Sequence, residues 1–497
     1  MRLTILGGGG FRVPLVYGAL LRDRAEGRVT HVTLHDLDPA RLAAIARVLS
    51  DQAARARAFG APDVPPAPEV TVTTDLDEAL RGADFVFSAI RVGGLAGRAA
   101  DERVALDEGV LGQETVGAGG VAYGLRTVPV AVDIARRVAR LAPDAWVINF
   151  TNPAGLVTEA MSRHLGDRVI GICDSPVGLA RRVARTLGVP DPTTSGVRID
   201  YVGLNHLGWL RGLYVDDRDV LPELFADEGR LTSFEEGKLF GADWLRSLGS
   251  VPNEYLHYYY FNREAVRAYQ LAEQTRGAFL QDQQARFYDQ LAPLAAGAST
   301  VAGKPSTARK PPEAGAAAAA APGAAWTAWD RTRAEREATY MAENREAAGA
   351  GERAADDLES GGYEDVALAL MRAIARDEPA RLILNVRNRR GGSGTGEAGG
   401  QVVDVLDEAA VIEVPCQVDA AGARPLAVSP LTGHEAGLVA AVKAVERCVL
   451  RAGESGSQRE AVKAFALHPL VDSVQVAHRL LAGYRSAHPG LDYLRKD

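Results

Sequence analysis

The chain has 497 residues, 47% of them apolar and 24% charged, with a formal net charge of −8. That length exceeds one ordinary core, so at least two lobes are expected, and the composition is that of a soluble globular protein. Basic residues are interleaved with acidic ones rather than gathered beside aromatics, and no apolar run is long enough to span a bilayer, so neither nucleic acid nor membrane is expected as a partner.

From Met1 to about Gly203, short β-rich runs alternate with helical patterns. The runs RLTIL, HVTLHD, DFVFSAI, WVINF, RVIGIC and RIDYVG read as strands, and Val13–Leu21, Ala40–Ala58 and Val128–Leu141 as helices. This alternation predicts βαβ units and a parallel sheet covered on both faces. The expected fold is α/β, a Rossmann-like doubly wound parallel sheet over 1–203, followed by a C-terminal α+β lobe over 204–497. In that lobe helices are expected at Phe234–Leu248, Asn262–Leu291, Trp326–Ala348 and Tyr363–Ala375. Strands follow at LILNV and VIEVPCQV, then helices at Glu435–Arg451 and Arg459–Tyr484. The stretch 295–325 is low in complexity and rich in Ala, Pro and Gly, and it reads as an insertion without large apolar residues. GGSGTGEAGG at 391–400 reads as a similar loop.

Met1 enters the first strand directly, without a basic and then apolar leader. Cys173, Cys416 and Cys448 are odd in number and far apart, which is no disulfide framework and fits a reducing compartment. The expected location is cytoplasmic.

Gly7, Gly8, Gly9 and Gly10 separate the first strand from the first helix. Glycines there permit a tight turn and let backbone amides approach a pyrophosphate seated on the helix N-terminus. Arg12 stands where the third glycine of G-x-G-x-x-G is usual. Asp36 closes the second strand, where a carboxylate binds adenosine ribose hydroxyls and repels a 2′-phosphate. Strand, loop, helix and acid in register predict NAD as cofactor.

Two further loops fall at strand ends, where ligands collect in such sheets. GICDSPVG carries Cys173 and Asp174, and YVGLNHLGW carries Asn205 and His206. A thiolate and an imidazole from adjacent strands could hold one divalent metal, although each alone also reads as ordinary packing. Arg91, Arg98 and Arg103 follow another strand and are suited to an anionic group, or to surface ion pairs. Asn149 and Asn152 end a further strand. VPNEYLHYYYF concentrates Tyr255, Tyr258, Tyr259 and Tyr260, which pack as core and rim or, beside a cation, act as a general base.

Taken together, GGGGFRVPLV, the segment from IRVGGLAGR to GQETVGAGG, NFTNPAGLVTEA, GICDSPVGL, GLNHLGW and VPNEYLHYYY resemble the family 4 glycoside hydrolases. Within the family the resemblance is greatest to bacterial 6-phospho-β-glucosidases. It extends to ARPLAVSPLTGHEAGLVAAVKAVE and ALHPLVDSVQVAHRLLAGY near the C-terminus. The resemblance implies hydrolysis that departs from the two-carboxylate scheme of most glycosidases. NAD oxidises C3 of the sugar, a divalent metal, typically Mn2+, polarises the ketone, and a tyrosine removes the C2 proton. Elimination, water addition and reversal of the oxidation complete the cycle. It further implies Cys173 and His206 as metal ligands and Tyr255 as base, with Tyr258 and Tyr259 as fallbacks. Arg98 and Asn152 fall on substrate contacts, and Asp174 falls on the catalytic acid of α-specific members. A phosphorylated glycoside is the implied substrate, a dimer or tetramer of identical chains the implied assembly, and a second lobe like that of lactate and malate dehydrogenases the implied architecture.

Two departures stand out. Asp174 occupies a position where many β-specific members carry Asn. An Arg-Gly-Gly segment that helps bind phosphate is replaced by Glu359–Ser360–Gly361–Gly362–Tyr363, leaving phosphate to Arg98 and Arg91. The competing readings are a 6-phospho-α-glucosidase, an α-glycosidase of unphosphorylated or uronic sugars, an NAD-dependent 2-hydroxyacid dehydrogenase, and a non-catalytic NAD sensor.

Overall fold

The structure, a computed structural model, describes residues 1–59, 65–193, 196–298, 322–351, 362–390 and 400–496. Most of the stretch expected as an insertion at 295–325, nearly all of the loop at 391–400, and Glu359–Gly361 lie outside these residues. The chain forms two compact units. One comprises Met1–Ile90, Arg137–Val147 and Phe279–Tyr340; the other comprises Arg91–Arg136, Ile148–Ala278 and Met341–Asp497. These limits differ from a single division at 203/204.

The first unit holds parallel strands β1 (Arg2–Leu6), β2 (His31–His35), β3 (Glu69–Thr73) and β4 (Phe85–Ser88), in the order β4-β1-β2-β3. Leu3, Ile5, Leu6, Val32, Leu34 and Phe85–Phe87 are buried, as continuous apolar strands are when both faces are covered. β3 escaped the sequence reading because EVTVT is an exposed edge strand with little apolar signal. Helices Val13–Arg22 and Pro39–Phe59 connect the parallel strands.

The segment Phe279–Tyr340 returns to this unit. Trp329, on helix Ala324–Ala338, is buried against the Phe11 ring at 6.0 Å and donates its indole N–H to the Phe11 carbonyl at 2.8 Å. Phe287 meets Phe11 edge-on at 5.3 Å. The Asp51 carboxylate accepts the Ala325 N–H at 3.0 Å, satisfying one otherwise unpaired donor at that helix start.

The second unit is built on antiparallel pairing. After β5 (Trp146–Asn149) come β6 (Val169–Gly171), β7 (Val197–Leu204), β8 (Leu207–Val215), β9 (Arg218–Asp219), β10 (Val251–Pro252), β11 (Ala380–Arg387), β12 (Val411–Asp419) and β13 (Gly422–Pro425). Their order is β10-β8-β7-β12-β11-β6. RIDYVG, expected as one more parallel strand, instead pairs antiparallel with β8 and β12. LGWLRGLYV follows it after only Asn205 and His206, and a two-residue connection can join only antiparallel neighbours. Helices Gly433–Ser455, Gln458–Ala466 and Val474–Ala487 pack around Leu125, Val128, Val445, Phe465, Leu480 and Tyr484.

Four helices expected as continuous are broken, one of them Arg459–Tyr484, which divides into Gln458–Ala466 and Val474–Ala487. The break between Glu235–Phe240 and Ala242–Leu248 falls at Gly241, whose φ of 78° is open to glycine at little steric cost. Asn262–Leu271 stops before Arg276–Ala298, and there the Gly277 N–H turns to the Glu102 carboxylate at 2.6 Å. Ala324–Ala338 and Ala342–Ala347 are separated at Met341, φ 52°. The molecule is an α/β protein, and no described helix is long and apolar enough to cross a membrane.

Replacing Trp329 with Ala removes the largest contact between the returning helix and Phe11. The unfolding free energy measured in urea should fall by about 3–5 kcal/mol. A loss well under 1 kcal/mol would show that this packing is dispensable.

Candidate active site

In the first unit, β1 runs into a turn at Gly7, whose φ is 80°. A Cβ on Gly7 would lie 2.6 Å from the Ala89 carbonyl oxygen, so the strand end admits no side chain there. The Gly8 N–H donates to the His35 carbonyl at 2.7 Å, and the Gly9 N–H to the Asp36 carboxylate at 3.1 Å. Asp36 therefore lies against the glycine loop. Two features of this loop were not visible in the sequence: Tyr288 donates its hydroxyl to the Gly9 carbonyl at 2.7 Å, and the Arg41 guanidinium stacks over the Tyr288 ring at 4.5 Å.

The other candidate residues belong to the second unit. Cys173 lies just beyond β6 and is buried. Burial holds its thiol well above the usual range, reinforced by the nearby charges of Glu413 and Asp174. Asp174 sits at the N-cap of helix Ser175–Leu187 without capping it, and its charge reaches both Cys173 and His206.

His206 forms half of the Asn205–His206 turn and takes a left-handed φ of 62°. Burial lowers its pKa to about 4, so the imidazole is neutral near pH 7. Its ring lies flat on that of Tyr255, with centroids 3.7 Å apart and planes within 5°. Its Nδ1 is 2.7 Å from the Thr115 hydroxyl.

Tyr255 is carried by the single 3-10 turn Glu254–Leu256, not by a regular helix. Asn253 caps that turn by accepting the Tyr255 N–H at 3.1 Å. The Ser175 hydroxyl donates to the Glu254 carboxylate at 2.8 Å, tying the tyrosine turn to the Cys173–Asp174 loop. Of the fallback tyrosines, Tyr258 is buried against the Tyr269 hydroxyl at 3.2 Å. Tyr259 stacks on His468 at 6.1 Å. A cleft is walled by Thr115, Asn205, His206, Tyr259, Glu446 and His468, with apolar side chains between them.

Behind the His206 turn lies a carboxylate that sequence reasoning missed. Glu413, in the middle of β12, is fully buried. It accepts from Asn385 at 2.8 Å, Tyr201 at 3.1 Å and Asn205 at 3.2 Å. Desolvation pushes its pKa up to about 7 against the pull of those donors. The available signal was an acid inside the otherwise apolar run VIEVPCQV.

Arg98 is buried on helix Gly94–Asp107. Its guanidinium donates to Glu102 at 2.9 Å and to Glu114, and Glu114 also takes Arg91. Arg126 binds Asp101 through two bonds of 2.7 and 2.6 Å, and His488 adds a third contact to Asp101 at 2.9 Å. Glu114 adjoins Thr115, so the arginine pair and His206 meet through one short segment. Asn152 lies in the bend after β5, and two residues on the Ala154 N–H donates to Asn205 at 3.2 Å. Asn149 serves the loop itself, donating to Thr151, Ala154 and Thr158.

As donor types, a thiol that would ionise on binding and a neutral imidazole suit a borderline divalent cation. Among the described residues no cluster of three or more His, Cys, Asp and Glu side chains is placed to hold a metal.

Residues 2–189 match the model of the family 4 glycosyl hydrolases, and residues 201–471 match that of the family's C-terminal domain. The chain belongs to this family and is a glycosidase. It is 30% identical over 433 residues to a probable 6-phospho-β-glucosidase of Bacillus subtilis, covering 84% of this chain and 82% of that protein. It is 28% identical over 495 residues to a maltose-6′-phosphate glucosidase of the same organism, covering 96% and 94%. Among solved structures it shares its fold with the 6-phospho-β-glucosidase of Thermotoga maritima bound to NAD and glucose-6-phosphate. That likeness has a TM-score of 0.75 at 24% identity and covers all of both chains. A 6-phospho-α-glucosidase from gut microorganisms, in complex with NAD and Mn2+, aligns with a TM-score of 0.71 at 23% identity over 99% and 98% of the chains.

The sign of the Glu413 effect follows from its raised pKa. Between the ordinary 4.5 and about 7 the folded protein holds more protons than the unfolded chain, so stability falls as pH rises through that window. Glu413→Gln should remove a contribution on the order of 1–3 kcal/mol from the stability difference between pH 5 and pH 8 in urea titrations. Identical pH slopes for both proteins would contradict a raised Glu413.

Proposed function

We propose that this glycosidase is a 6-phospho-β-glucosidase that uses NAD and a divalent metal, typically Mn2+. The observation that carries the reading is the Tyr255 ring stacked on the His206 imidazole at 3.7 Å, a candidate base beside a candidate metal ligand. When bound, NAD would accept hydride from the sugar C3 and the cation would polarise the ketone so formed, acidifying the C2 proton. Gly7, Gly8, Gly9 and Asp36 are the residues assigned to the dinucleotide, and Cys173 and His206 those assigned to the metal.

In this reading the Tyr255 oxygen removes the C2 proton and elimination expels the C1 group. Arg98 and Asn152 hold the sugar and its phosphate. Both Arg98 and Arg91 are paired with Glu114, so an incoming phosphate would share or replace that carboxylate. The β assignment is supported by the Bacillus subtilis relative and by 42% identity over 212 residues to an Escherichia coli 6-phospho-β-glucosidase, spanning 41% of this chain and 46% of that protein. A second reading, 6-phospho-α-glucosidase, is favoured by Asp174, which falls on the catalytic acid of α-specific members and caps no helix here. A cytoplasmic homo-oligomer accompanies either reading.

The deciding assay offers p-nitrophenyl 6-phospho-α- and β-glucosides beside their unphosphorylated forms, with NAD and Mn2+ supplied. Cleavage of the 6-phospho-β-glucoside in deuterated water should place deuterium at C2 of the product. Preference for an unphosphorylated sugar would sink the substrate assignment. Tyr255→Phe should lose roughly 10²–10⁴-fold in turnover while NAD affinity stays unchanged. Full activity in that variant would sink the base assignment.

A further inference from the structure

Gln113 and Thr115 have no role in the scheme above, yet both converge on His206. The Gln113 side-chain oxygen accepts the backbone N–H of Thr115 at 2.7 Å and of Val116 at 3.0 Å. Two backbone donors at one atom settle which end of that amide is oxygen. The Thr115 hydroxyl lies 3.1 Å from this oxygen and 2.7 Å from His206 Nδ1.

A hydroxyl carries a single proton, and the Gln113 oxygen can only accept. When Thr115 donates to Gln113, its oxygen must accept from His206. The imidazole proton is then on Nδ1 and the lone pair on Nε2. In the opposite arrangement Thr115 donates to Nδ1, the Gln113 contact is lost, and Nε2 carries a proton toward whatever binds there. A histidine that ligates a metal needs its other nitrogen engaged in just the first way.

We infer that Gln113 and Thr115 are positioning residues: the relay from His206 Nδ1–H to the Thr115 hydroxyl to the Gln113 oxygen holds Nε2 as the lone-pair nitrogen for a divalent cation. The inference rests on the reading of His206 as a metal ligand. It explains how the ring is oriented although His206 lies in a turn at φ 62°. Tyr255 covers one face and Thr115 holds one edge, while Nε2 makes no hydrogen bond among the described residues. It also gives the GQET segment a double task, with Glu114 on the two arginines and its neighbours on the histidine.

The test uses the full-length protein. Isotope-labelled histidine and two-bond nitrogen–proton correlations in the metal-free protein report which nitrogen of His206 is protonated, the signal being assigned by its loss in His206→Gln. Mn2+ affinity is read separately from the electron paramagnetic resonance of free Mn2+. Wild type should show His206 protonated at Nδ1. Thr115→Val should weaken Mn2+ binding by roughly 10–100-fold, and Thr115→Ser should restore it. Gln113→Leu should move the proton to Nε2. A wild-type ring protonated at Nε2 overturns the relay even where a variant fails to fold, and so does a folded Thr115→Val with unchanged Mn2+ affinity. Unchanged Mn2+ affinity in His206→Gln would instead overturn the metal reading itself.

Discussion

A carboxylate buried in the middle of an apolar strand must find donors, and Glu413 finds three of them: Tyr201 on β7, Asn205 in the turn and Asn385 on β11. Burying such a group without partners costs several kcal/mol, so the three strands have little freedom to slip. Glu413 stands opposite Asn385 on one side and Gly203 on the other. Moving either register by one residue would turn the donor away. This buried group thereby holds the Asn205 turn, and the turn holds His206.

The same economy of pairing governs the arginines. Arg91, Arg98 and Arg126 face Glu114, Glu102 and Asp101 in an enclosed ionic web, and desolvated charges persist only in such company. Glu114 serves two guanidiniums and is followed directly by the threonine that touches His206.

Local chemistry made part of this readable in advance. The glycine loop, Asp36, Cys173, His206 and Tyr255 all sit at strand ends or in tight turns, where a few neighbouring residues determine the backbone. The helix breaks at Ala272 and Met341 were not readable, because neither position carries a glycine or proline to mark the stop. β8 was missed because its first residues, LGW, were read as part of the YVGLNHLGW loop. Glu413 and Glu254 were missed because their partners lie elsewhere in the chain, at separations up to 212 residues for Tyr201 and Glu413. Gln113 bonds its chain neighbours, and its link to His206 runs through Thr115, 91 residues from the histidine.

The sequence by itself determined the dinucleotide-type loop and the α/β character, and family resemblance marked the thiol, imidazole and tyrosine. Those follow from short-range rules of strand, turn and glycine, and from motifs in order. Only the tertiary structure decided that His206 and Tyr255 stack, that Arg91 and Arg98 share one carboxylate, and that the strands of the second unit pair antiparallel around a buried glutamate. Ring contact and charge pairing depend on which strands become neighbours, and that is settled by burial and hydrogen bonding across the whole unit.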